Sequence, residues 1–289
     1  MITSSIEHNT TFDLVFLPGN HTLDLELNVM NLSEFSMYSE SDVKATWIRC
    51  NGIGTLTFIN IGVVQLRNLA LLGCGENFLH HIDLLVVQNT LFHGYYDSGT
   101  ALYVTETVAN ITKSSFLLNT GTFQHPVDEF LLQGDDYKEV GGAITAFQSK
   151  LRISECRFRG NSAEVGGALY IEESWIFISS TTFENNFADP YVNDQTFVSG
   201  GVMLAFGHCG ITVKHSNFSN NSGLVNFQGV FGIFRSSITI DSCIFQDSSG
   251  SVLRASDSNI TSYNSTYEYS YSGLGGAVLR CKSQYGNIY

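Results

Sequence analysis

Apolar residues recur along this chain at every second position for a few residues, slip by one, and resume at an aromatic, and the whole figure then repeats. The aromatic closes Asn89-Thr-Leu-Phe92, Lys113-Ser-Ser-Phe116, Glu155-Cys-Arg-Phe158, Ser180-Thr-Thr-Phe183, His215-Ser-Asn-Phe218 and Ser242-Cys-Ile-Phe245, with Leu71 and Tyr267 as outlying copies. Five residues before each anchor stands Leu66, Val87, Ile111, Ile153, Ile178, Val213 or Ile240, and two residues earlier another apolar side chain. Period two over this length is a half-buried strand, and the slip is a corner. A small residue follows the slip: Thr90, Ser114, Cys156, Thr181, Ser216, Cys243 or Ser265. A third strand is expected after a glycine step, in Gly142-Ala-Ile-Thr145, Gly167-Ala-Leu-Tyr170, Gly201-Val-Met-Leu204, Gly250-Ser-Val-Leu253 and Gly276-Ala-Val-Leu279, with Thr100-Ala-Leu-Tyr103 as a looser copy.

Three short strands and three corners per repeat of roughly 21 to 27 residues close a three-sided solenoid in which like side chains stack. The predicted fold is all-β, a right-handed single-stranded parallel β-helix. It forms one domain over 1–289, with opening coils in 1–60 and repeat coils in 61–289. Insertions are expected at 120–140 and 187–199. The chain ends within a coil and is expected to belong to a longer polypeptide. The pairs Gly141-Gly142, Gly166-Gly167, Gly200-Gly201 and Gly275-Gly276 predict positive φ at a tight corner. Asn119, Asn161, Asn186 and Asn221, each three after an anchor, predict a hydrogen-bonded stack.

The GGAI and GGAL segments at 141–144 and 166–169, in register with FRGN, FENN and FSNN at 158–161, 183–186 and 218–221, resemble the GGA[ILV] and FxxN repeats of polymorphic outer-membrane proteins. The opening segment, Leu14-Val-Phe-Leu-Pro-Gly-Asn-His-Thr-Leu23, resembles the first coil of pectin-lyase-like proteins. Both resemblances imply a parallel β-helix. They imply little about chemistry, because that fold carries lyases, hydrolases, tailspikes and adhesins alike.

Composition narrows the function. With 14 Lys and Arg against 27 Asp and Glu the formal charge is −13, and no basic run exists, so nucleic acid is not an expected partner. No apolar stretch reaches membrane-spanning length, and the first residues carry no secretion signal. No CxxC or His-rich spacing suggests zinc.

Enzymes on solenoids build sites from outward carboxylates and Arg or Lys on adjacent coils. The outward position of the middle strand reads Gln88, Thr112, Ser154, Ser179, Lys214, Asp241 and Tyr263, which makes no dyad. Gly207-His208-Cys209-Gly210 resembles the Gly-His-Gly of polygalacturonases without its companion Asp pair or Arg-x-Lys. No catalytic residue is expected.

Binding is expected where the two insertions leave one corner. Asp128, Glu129, Asp135, Asp136, Asp189, Tyr191 and Asp194 would form an acidic, aromatic surface for a protein, a surface glycan or Ca²⁺. Tyr103 and Tyr170, on the neighbouring strand, are expected to face outward and to offer rings to sugars. Asn-x-Ser/Thr acceptors at Asn9, Asn20, Asn31, Asn110, Asn217, Asn220, Asn259 and Asn264 suggest glycosylation, with Asn110, Asn217 and Asn264 at outward positions. Cys50 and Cys74, one coil apart, are candidates for a disulfide. The expected role is an extracellular or cell-surface module for recognition, adhesion or display. The alternative is a polysaccharide-active lyase or hydrolase, or a degenerate relative.

Overall fold

The computed structural model describes residues 10–50, 54–95, 99–121, 141–188, 200–223, 229–268 and 279–282. These residues form an all-β parallel solenoid. Their one helical turn is the 3-10 segment Val43–Ala45. A representative coil runs Leu102–Thr105, Val108–Thr112, Ser115–Leu117 and Thr120–Gly121. We call these the glycine-side, middle, anchor and closing strands. The first two classes join an 18-stranded sheet, the anchor strands a 10-stranded one and the closing strands a 4-stranded one. The closing strand was not expected from the sequence, and it reassigns 120–121 and 187–188 from insertion to coil.

Stacking is in register. Phe92, Phe116, Phe158, Phe183 and Phe218 are successive partners with ring centroids 4.8 to 4.9 Å apart, and Phe245 and Tyr267 continue the column. All the phenylalanines in it are buried, each contributing roughly 1.5–3 kcal/mol by removal from water. Ile111, Ile153, Ile178, Val213 and Ile240 form a parallel inward column across the core.

The corners are made by one residue in the left-handed region followed by one stacked small polar side chain. Lys113, Ser180 and His215 have φ of 51°, 49° and 48° at the corner before the anchor strand. The next residue closes the turn: the Ser114 hydroxyl accepts from the Thr90 N–H one coil away and donates to the Thr112 carbonyl. A second ladder of the same kind, Thr107, Ser149, Ser174, Cys209, Ser236 and Ser258, lies before the middle strand. The asparagine stack is present at the third corner. Asn119 donates to Asn161 at 2.9 Å, Asn161 to Asn186 at 2.9 Å and Asn186 to Asn221 at 3.0 Å, all four being buried.

Two details of the expected repeat change. Gly141 and Gly166 have positive φ, as expected, but Gly200 does not. What the second glycine of a pair provides is room: a β-carbon on Gly142 would press on the carbonyl oxygens of Gly167 and Ser162. The register also corrects the late copies, because Met203 pairs with Phe231 and Phe231 with Leu253, not with Val252. The coil through Gly229–Phe234 carries no glycine pair and is therefore invisible to that motif.

Candidate functional site

The middle strands present their outward side chains as columns that run along the solenoid. One column is Val108, Lys150, Trp175, Gly210, Ser237 and Asn259; the next is Asn110, Arg152, Phe177, Thr212, Thr239 and Thr261. Alternation fixes this arrangement, since Ala109, Leu151, Ile176, Ile211 and Ile238 between them are buried. From Val108 and Asn110 to Ser237 and Thr239 the columns line a shallow groove of about 790 Å³.

Trp175 dominates the groove. It is 64% exposed, an unusual state for so large an apolar side chain. Its indole lies down along the solenoid axis over Gly210, where any β-carbon would overlap ring atoms Cε3 and Cζ3. Beside it the Arg152 guanidinium stands over the half-buried Phe177 ring, 5.5 Å from its centroid. Lys150 and Arg152 are exposed, and no Asp or Glu lines the groove. In a chain of net charge −13 this is a local cationic and aromatic surface with Ser, Thr and Asn hydroxyls and amides around it. Such a floor can stack on the apolar face of a sugar ring and hold an anionic substituent. Sequence reasoning tested this face for carboxylates and passed over it. The signal that could have found it was Trp175 itself, at a position occupied elsewhere by Lys150, Gly210 and Ser237.

Tyr103 and Tyr170 are a correction. They point away from the coil interior but are 5% and 4% exposed, not open platforms. Outward rings close over one another there: Tyr103 packs on Phe78 of its own column at 5.3 Å and on Phe147 of the next column at 5.5 Å, and Tyr170 packs on Phe147 at 5.6 Å. The Tyr170 hydroxyl donates to Glu172 Oε2 at 2.8 Å.

This glycine-side surface holds two acids that burial raises above the ordinary carboxylate range. Burial pushes Glu76 up to about 8, against a hydrogen bond from the Thr100 backbone that lowers it. Glu172 is also raised, by burial first, with the Tyr170 hydroxyl opposing and the Glu173 charge adding. Register puts them three coils apart, about 14 Å along the axis, beyond the separation of a paired acid and base.

Of the expected loop surface, Asp128, Glu129, Asp135, Asp136, Asp189, Tyr191 and Asp194 lie outside the described residues, and with them the calcium expectation. Among the described residues no cluster of three or more His, Cys, Asp and Glu could hold a metal. His208 sits in a corner at φ 65°, and its neighbour Cys209 is buried in the second ladder. Asn20, Asn31, Asn217, Asn220, Asn259 and Asn264 are exposed, Asn110 is half-buried in the groove wall, and Asn9 is outside the described residues. Cys50 and Cys74 form a disulfide with Cα atoms 4.5 Å apart. No described helix is long and apolar enough to cross a membrane.

No family model and no curated protein matches the chain. A solved structure, ORF18 of Geobacillus virus E2, is similar at 11% identity with a TM-score of 0.49. That likeness covers 94% of this chain and 52% of the viral one, so this chain spans about half of that protein, and it says nothing about ligand or chemistry.

Proposed function

We propose that this chain is an extracellular or cell-surface recognition module that binds a saccharide carrying carboxylate or sulfate groups along the groove of its middle face. The observation that carries the reading is Trp175, 64% exposed and lying over Gly210, beside the Arg152–Phe177 pair. A sugar chain laid along the axis stacks a ring on the indole and sets an anionic group against Arg152 or Lys150. Such a guanidinium gives a planar two-point contact that a neutral sugar does not use. Repeats resembling those of polymorphic outer-membrane proteins, the disulfide and the glycosylation acceptors support an exterior location.

The test is titration of the unglycosylated chain with polygalacturonate, alginate and neutral dextran, reading bound polymer together with released unsaturated and reducing ends. The expected result is binding of the acidic polymers without cleavage. Trp175→Ala should weaken it by roughly tenfold or more, and Arg152→Gln should weaken acidic polymers selectively. Equal binding by Trp175→Ala overturns the reading, and released ends would return the lyase or hydrolase alternative to first place.

A further inference from the structure

The groove contains a modification acceptor. Asn110 opens Asn110-Ile111-Thr112, lines the groove wall, and is the register partner of Arg152, which in turn partners Phe177. Two coil steps, about 10 Å, separate Asn110 from Phe177 along the axis. The Trp175 column is the adjacent one, two residues away on the same strand as Phe177.

We infer that an N-linked glycan on Asn110 folds back into this groove, lies over Arg152, Phe177 and Trp175, and closes the site to other saccharides. The inference rests on the groove being a saccharide site. Transfer to the nascent chain joins the Asn110 amide nitrogen to the anomeric carbon of a lipid-diphosphate-linked oligosaccharide. The amide loses a proton, and the bond from that carbon to the lipid diphosphate breaks. Once the chain folds, the first sugars leave Asn110 with the Arg152–Phe177 surface directly beside them. Docking is intramolecular, so the tethered sugar is present at a high effective concentration and competes even if each contact is weak. Asn217 offers a reference on the same chain: it is exposed on an anchor strand, between Thr182 and Ile244, and does not line this groove.

The experiment uses the full chain secreted from glycosylating eukaryotic cells. Glycopeptide mass spectrometry follows endoglycosidase release from the native protein at Asn110 and at Asn217. The expected result is release at Asn110 roughly tenfold slower than at Asn217, with the difference lost in Trp175→Ala and in denatured protein. In parallel, Asn110→Gln from the same cells should bind polygalacturonate more tightly than wild type. An unmodified Asn110, or equal release at both sites, overturns the inference. Unglycosylated chain that binds the polymer while native Asn110 glycan is freely released defeats the fold-back alone; unglycosylated chain that binds nothing defeats the recognition reading itself.

Discussion

The indole of Trp175 occupies the space a side chain at position 210 would need: the two residues are register partners on adjacent coils, and Gly210 is the one position in that column without a β-carbon. Gly210 has no positive φ, so its backbone accepts other residues. What a substitution changes is the indole. Gly210→Val should lift Trp175 off the surface, red-shift its emission, and weaken saccharide binding while leaving the melting temperature nearly unchanged. An unchanged emission spectrum with unchanged binding would show that the packing over Gly210 is not what presents the ring.

The asparagine ladder predicts a large and localised cost. Asn161 accepts from the Asn119 side chain at 2.9 Å and its N–H at 3.2 Å, and it donates to Phe116 O at 3.0 Å and Asn186 Oδ1 at 2.9 Å. Asn161→Ala leaves buried donors and acceptors on two neighbouring coils unpaired, a loss of about 3 kcal/mol or more. Asn220→Ala, one residue from the ladder but exposed, loses only the preference of Asn for its left-handed φ of 51° and should cost about 1 kcal/mol. Denaturant midpoints of the two variants check the contrast, and equal midpoints would sink it.

That ladder also shows how far the sequence carries. Stacking demands like residues at like positions, so Phe116, Phe158 and Phe183 or Asn119, Asn161 and Asn186 announce the coil by simple recurrence. The second hydroxyl ladder did not announce itself, since Thr107, Ser149, Ser174 and Cys209 differ in type and share only size and one hydrogen-bonding geometry. The candidate groove was hidden for the opposite reason. A binding surface on a solenoid is made of the outward residues that stacking leaves free, so Trp175 and Arg152 break the column pattern and do not extend it. The outward alternation correctly gave Tyr103 and Tyr170 their side of the strand. It could not give their burial, which depends on contacts with Phe78 in the same column and Phe147 in the next.

The thiols in the corner ladders should be inert in the native state. Cys156, Cys209 and Cys243 are 4%, 2% and 1% exposed, and burial pushes the Cys156 thiol up to about 11. The Cys156 sulfur reaches the Ser154 and Ile111 carbonyls as the Ser and Thr of the same ladder reach theirs. In a Cys281→Ser background a disulfide reagent should therefore titrate no thiol until the chain unfolds. Cys156→Ser should change stability by less than about 1 kcal/mol, since Ser114 and Ser216 already fill that role. Rapid labelling of folded protein would contradict the burial.

Glu76 gives the solenoid a pH dependence with a defined sign. Glu76 is 7% exposed, and burial raises its carboxyl from 4.5 to about 8. An acid whose folded value is raised binds more protons folded than unfolded, so the stability it contributes is fully present below about 4.5 and is lost as pH rises through about 8. The full span corresponds to roughly 4–5 kcal/mol at 1.36 kcal/mol per unit, an upper bound once the site relaxes or admits water. Melting temperature should therefore fall between pH 5 and about 9, and Glu76→Gln should flatten that part of the curve. Glu172, raised but less buried, contributes in the same direction, so a double variant with Glu172→Gln should be flatter still. A wild-type curve that rises with pH over this window would place an ionised carboxylate at Glu76.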